Sequence, residues 1–123
     1  MAWIDEVAGL VAIRHSKGEV VTASVDNLRF IRGARQHDLI VLIGRITYVG
    51  NTSMEVRVDT YIEDFEGVRR PINRAYLTEV AINEDGSLRK APGLTIQNES
   101  ERAEWLAGER RKQLRTERRQ EGF

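Results

Sequence analysis

The chain has 123 residues, 41% of them hydrophobic, which is enough for one domain with a real core. Nineteen basic residues offset nineteen acidic ones, so no overall field recruits nucleic acid or an anionic membrane surface. Cysteine is absent, which excludes disulfides, thiolate metal sites and a thiol nucleophile, and His15 and His37 are too few and too scattered for a metal cluster.

The first stretch, Met1 to His15, reads as a helix that is apolar nearly all the way round, the pattern of a helix wrapped by other structure. It lacks the basic lead of a secretory signal, and no apolar run reaches the roughly 20 residues that span a bilayer, so the chain reads as cytoplasmic. Gly18 is the expected left-handed stop, with Arg14, His15 and Lys17 near the negative end of the helix dipole. Two adjacent carboxylates, Asp5 and Glu6, stand in this segment. They point about 100° apart and cannot share one environment. A carboxylate buried there has to be hydrogen-bonded, paired or neutralised. Asp5 therefore has two readings, a charge welcomed by the first helical turn or a functional group.

From Val20 to Ile31 the period changes to two, with Val21, Ala23 and Val25 alternating against Thr22, Ser24 and Asp26: a long strand, bent near Asp26 and Asn27. Gly33 and Gln36-His37-Asp38 mark a turn. Leu39 to Val49 opens on a continuous apolar run, the signature of a strand buried on both faces. Gly50-Asn51 turns the chain into a half-exposed strand through Met54, Val56 and Val58, giving a hairpin. Asp64 to Gly67 is the next turn, a strand follows from about Ile72 to Ile82, and Asn83-Glu84-Asp85-Gly86 closes it. Beyond Pro92 the chain is charged and helical in propensity, with Asn98 or Ser100 as N-cap; Trp105, Leu106 and Leu114 are its apolar anchors, and its end is expected to fray. The expected organisation is a domain over residues 1–92 and a helical tail over 93–123.

One buried helix with four long antiparallel strands makes an α+β layer architecture. Apolar strand faces and unpaired sheet edges call for self-association, sheet beside sheet.

Several stretches together resemble the hotdog-fold acyl-CoA thioesterases of the bacterial acyl-CoA hydrolase group. They are Trp3-Ile4-Asp5-Glu6-Val7-Ala8-Gly9, Arg14-His15-Ser16, Val20 to Phe30, Gly50-Asn51-Thr52-Ser53-Met54-Glu55-Val56 and Asn73-Arg74-Ala75-Tyr76-Leu77-Thr78. The resemblance implies a long central helix wrapped by a curved antiparallel sheet, and a dimer at least, often a trimer of dimers, with the site between subunits. It implies hydrolysis of acyl-CoA to acid and coenzyme A, with Asp5 as the helix carboxylate, base or nucleophile, and with no metal or redox cofactor.

Two departures from the pattern stand out. The family's first strand and the glycine-rich entrance of its helix would precede Met1, which implies a start further upstream or a truncated member. A non-catalytic acyl-CoA-binding scaffold is therefore the alternative. The strand motif also carries Glu79 where the family has an aromatic residue, a charge at a packing position.

Hydrolysis of a thioester needs an activated water or a nucleophile together with donors for the oxyanion. Burial would raise the Asp5 carboxyl towards the working pH of a base. Asn51, Thr52 and Ser53 at a hairpin tip can cradle phosphate or simply form the turn. Thr78 stands as a further substrate-side candidate, while Glu6, Asn27 and Arg74 read as structural. His15 lies some 15 Å along the helix from Asp5, too far to pair with it in one chain. Arg110, Arg111, Lys112, Arg115, Arg118 and Arg119 form a solvated helix face or a coenzyme A phosphate contact.

Overall fold

The computed structural model describes residues 2–30 and 39–120. The expected turn at Gly33 to Asp38 lies outside them, as do the side chains of Asp26 and Asn27. In chain order the elements are α1 (Ala2–Ser16), β1 (Val20–Phe30), β2 (Leu39–Val49), β3 (Ser53–Glu63), β4 (Arg69–Ala81) and α2 (Glu99–Gln120). The strands form one antiparallel sheet in the order β1-β4-β3-β2. This is the α+β arrangement of helix and sheet that the sequence implied.

α1 lies on one face of the sheet. Ile4, Ala8 and Ala12 repeat at helical spacing, and all three are buried against Met54, Val56 and Val58 of β3 and Ala75, Leu77 and Ala81 of β4. The small residues let the helix sit close. At Gly44 of β2 a side chain would collide with Val7 and Val11, so the glycine permits the approach. The helix is not wrapped within one chain, however: Trp3, Leu10 and Ile13 are exposed. A single sheet layer covers one stripe of a helix, which leaves the rest of an all-apolar helix open.

α1 also stops differently from expectation. The left-handed residue is Lys17, with φ 57°, rather than Gly18. Arg89 occupies the space beside Gly18 and donates to the Ser16 carbonyl at 2.9 Å, satisfying an open helix end. His15 contacts the Pro92 carbonyl at 2.8 Å, tying this end of α1 to the chain after β4.

The strand covered on both faces is β3, not β2. β2 is an edge strand, and its Leu39 and Ile43 are exposed. Its apolar run marks an edge strand, whereas β3 lies between β2 and β4 and is buried along both faces. The Gly50 turn is closed by the Gly50 N–H donating to the Ser53 carbonyl at 2.8 Å, and Asn83 N–H to Ser87 O at 2.8 Å closes the turn after β4.

α2 is capped by Asn98, whose Oδ1 accepts from the Glu101 N–H at 2.8 Å; Glu101 returns the contact to the Gln97 N–H at 2.9 Å. It docks on the sheet face opposite α1. Of the three expected anchors only Trp105 docks, its ring 4.9 Å from that of Tyr48, while Leu106 and Leu114 are exposed. The remaining attachment is ionic. Glu104 accepts from Arg57 at 2.7 Å and pairs with Arg45, and Arg111 bonds both oxygens of Glu55 at 2.6 and 2.7 Å. Gly108 lets the helix approach, since a Cβ there would strike Tyr48 and Glu55.

Candidate active site

The first turn of α1 carries Asp5 to the β1 side of the sheet, where Thr22 meets it. Thr22 Oγ1 is 3.1 Å from Asp5 Oδ1. Thr22 faces α1 as Val20 does two positions before it, and just beyond it the register slips, leaving Ala23 as a bulge. On the next strand Thr22 pairs directly with Glu79, and its hydroxyl oxygen lies 2.9 Å from each Glu79 carboxylate oxygen. One threonine hydroxyl thus joins an exposed carboxylate to one that is fully buried.

Glu79 stands in a row of core positions. Leu77 and Ala81 flank it on β4, and Met54 pairs with it on β3, all fully buried. This setting pushes the Glu79 carboxyl up to about 7. Burial is the main cause, the Thr22 contact pulls the other way, and the charge of Asp5 adds to the rise. The burial expected around Asp5 therefore falls on Glu79, because Asp5 lies on the helix flank that the single sheet leaves open. Glu79 was visible in the sequence only as a charge at a packing position. Its pairing with Asp5 depends on strand register, which no local pattern reveals.

The other predicted residues gather elsewhere. Thr52, Ser53 and Thr78 line a recess of about 280 Å³ together with Ser24 and Lys112. Thr78 neighbours Glu79 on β4 but points to the opposite face, so this recess lies across the sheet from Asp5. Asn51 is exposed at the hairpin tip, where its carbonyl accepts from the Ala91 N–H at 2.8 Å. Glu6 is exposed on α1. Arg74 donates to Asp59 at 2.7 Å, which raises its pKa further and gives it a structural task.

Comparison with known proteins places this arrangement. The sequence pattern described as Thioesterase superfamily matches residues 1–67. The chain belongs to the thioesterase superfamily. The mouse cytosolic acyl coenzyme A thioester hydrolase is 36% identical over 90% of this chain, which spans 30% of the mouse protein. The Staphylococcus aureus acyl-CoA hydrolase, solved with butyryl coenzyme A, coenzyme A and coenzyme A disulfide, superposes with a TM-score of 0.89 at 32% identity, covering 99% of this chain and 75% of that one. It has also been solved as variants with an aspartate, an asparagine or a threonine replaced by alanine. A hexameric acyl-CoA thioesterase superposes with a TM-score of 0.89 at 36% identity over 95% of this chain and 76% of its own. The hotdog fold implied by the sequence motifs is thus the fold of this thioesterase chain.

Proposed function

We propose that this thioesterase-superfamily chain hydrolyses acyl-CoA thioesters, with Asp5 as the general base. The observation that carries the reading is the contact between Asp5 and Thr22, 17 positions apart. The aspartate and the threonine replaced separately in the Staphylococcus aureus hydrolase are also 17 positions apart. In the proposed reaction Asp5 takes a proton from water as the oxygen attacks the thioester carbonyl. The C–S bond of the tetrahedral intermediate then breaks, and the proton passes to the departing coenzyme A thiolate. Donors for the oxyanion are expected at the entrance of α1, where backbone N–H groups have no partner within the helix.

The site is proposed to be completed by a second copy. Asp5 is exposed beside exposed Trp3, and the apolar remainder of α1 and the β2 edge are uncovered in one chain. Relatives of hexameric form support a homo-oligomer, a dimer at least and in the fullest form a trimer of dimers. The recess at Thr52, Ser53 and Thr78, with Lys112 beside it, is proposed to take the phosphates of coenzyme A, Asn51 sitting at its hairpin tip. A cytoplasmic location is supported by the name of the mouse relative; no helix among the described residues is long and apolar enough to cross a membrane.

Release of free thiol from butyryl coenzyme A tests the reaction. Asp5→Ala should lower kcat by about 10²–10⁴-fold, the range for loss of a positioned acid or base, with the oligomer intact. A variant near the wild-type rate would remove Asp5 from the chemistry. A wild-type chain that binds coenzyme A and releases no thiol would instead be an acyl-CoA-binding scaffold. Light scattering should give a mass at least twice the chain's 14.1 kDa, and a monomer mass would contradict the shared site.

A further inference from the structure

Resting on Asp5 as the base, we propose that Glu79 is its positioning residue: as a neutral acid Glu79 donates a hydrogen bond to Thr22, whose hydroxyl then donates to Asp5. The chain of donors runs from the core to the surface and holds the Asp5 carboxylate in one orientation.

The geometry favours a second proton in this cluster. A threonine hydroxyl carries one hydrogen and has lone pairs that accept. Here its oxygen faces three carboxylate oxygens, one of Asp5 at 3.1 Å and two of Glu79 at 2.9 Å. With both acids ionised, the single hydrogen serves one of them and leaves the hydroxyl lone pairs against the other. Turned to Asp5, it leaves the Glu79 anion without a donor in the core, where Glu79 has no exposed surface; turned to Glu79, it leaves exposed Asp5 without one. With the proton on Glu79, each group has a partner: Glu79 O–H to Thr22, and Thr22 O–H to Asp5.

The surroundings favour the same state. From α1 the charged group facing Glu79 is Asp5, from β1 the paired residue is Thr22, and from β3 it is Met54. A neighbouring anion and an apolar wall both disfavour a second negative charge. The midpoint of about 7 for Glu79 places its proton loss inside the working range of a cytoplasmic enzyme. When Glu79 ionises, Thr22 turns its hydrogen to the buried anion, and Asp5 loses both its donor and its fixed orientation. Turnover is therefore expected to fall as pH rises through that midpoint.

Two variants of the full chain test this. Glu79→Gln keeps a donor for Thr22 and does not titrate; Glu79→Leu fills the space and removes the donor. Wild-type kcat on butyryl coenzyme A should fall roughly tenfold from pH 6 to pH 8, the loss of protonated acid for a midpoint near 7. Glu79→Gln should stay within about twofold across that range, while Glu79→Leu should lose kcat at every pH with KM little changed. A Glu79→Gln profile that falls like wild type, or a Glu79→Leu variant with wild-type kcat, overturns the proposal.

A second readout does not depend on the substrate. Carbon-13 NMR of the Glu79 carboxyl should show a raised midpoint that drops in Asp5→Asn and moves in Thr22→Val. A midpoint in the ordinary carboxylate range, or one indifferent to both substitutions, overturns the coupling. If wild type releases no thiol, the hydrolysis reading falls, and this titration alone then decides whether Glu79 and Asp5 share Thr22.

Discussion

Two buried glutamates on adjacent strands face opposite sides of the same sheet and live in opposite ways. Glu55 on β3 points to α2, where Arg111 takes both of its oxygens at 2.6 and 2.7 Å, Thr47 donates at 2.7 Å, and the guanidinium lies 3.8 Å above the Tyr76 ring. Glu79 on β4 points to α1, with a hydroxyl and another carboxylate for company. Burial is nearly the same, 2% exposed against 0%. The partners differ: one face supplies a cation and uses its acid to dock a helix, and on the other face burial, with a neighbouring anion adding to it, pushes the acid towards neutrality. A buried acid with a cationic partner and one without stand side by side here, separated by the thickness of a sheet.

The largest effect is expected from removing the cation on the α2 side. Arg111→Met leaves Glu55 buried without its guanidinium, and breaking a buried pair from one side costs about 3–5 kcal/mol. Urea unfolding at neutral pH should show that loss. A change below about 1 kcal/mol would mean that Glu55 finds other partners, and the contrast between the two faces would weaken.

Next comes the pH dependence of stability contributed by Glu79. Its folded pKa of about 7 lies above the ordinary 4.5, so the native chain holds this proton more tightly than the unfolded one. Below about 4.5 both states are protonated and the group imposes no penalty. Between 4.5 and about 7 the unfolded state ionises first, so stability declines as pH rises, and the decline is complete above the folded value. At the usual scale per pKa unit the whole span corresponds to about 3–4 kcal/mol, of which about 2–3 kcal/mol falls between pH 5 and pH 8. Unfolding free energies at pH 5 and pH 8 should differ by this amount more in wild type than in Glu79→Gln. Equal pH dependence in the two would show that Glu79 titrates normally despite its place between Leu77 and Ala81.

Much of this molecule could be read along the chain because its signals are local. Alternation placed β1 and β3, a continuous apolar run placed β2, and the turns on either side bounded β4; the Gly50 and Asn83 to Gly86 turns came from residue type, and of the two cap candidates, Asn98 and Ser100, Asn98 caps α2. The W-I-D-E stretch led to Asp5. What escaped were facts about neighbours far apart in sequence. The run of Leu39 to Val49 looks the same whether the strand lies in the centre of a sheet or at its edge, and the strand order put it at the edge. α2 has no apolar stripe because Glu104 and Arg111 hold it through ion pairs, which a hydropathy pattern cannot register. Glu79 is 57 positions from Thr22, and only the paired register of β1 and β4 brings them together. The charge where an aromatic was expected was the one available clue.

The smallest effect should come from the outer end of the ionic face, and it tests whether that face is one network or a set of separate pairs. Glu104 bridges Arg45 and Arg57, and Arg57 also reaches Asp59 at 3.0 Å. The side chain of Arg45 is 45% exposed and that of Arg57 is 15% exposed. Water and salt screen the outer pair, so Arg45→Met should cost less than about 1 kcal/mol and less still in high salt. Arg57→Met removes the charge that Glu104 and Asp59 share in a drier setting, so its cost should exceed that of Arg45→Met and survive added salt. Asp59 keeps Arg74 at 2.7 Å, which limits the damage and keeps this site below Arg111 in the ranking. Equal costs for the two substitutions would mean that the ladder acts as a unit from edge to centre, with exposure no guide to the worth of each rung.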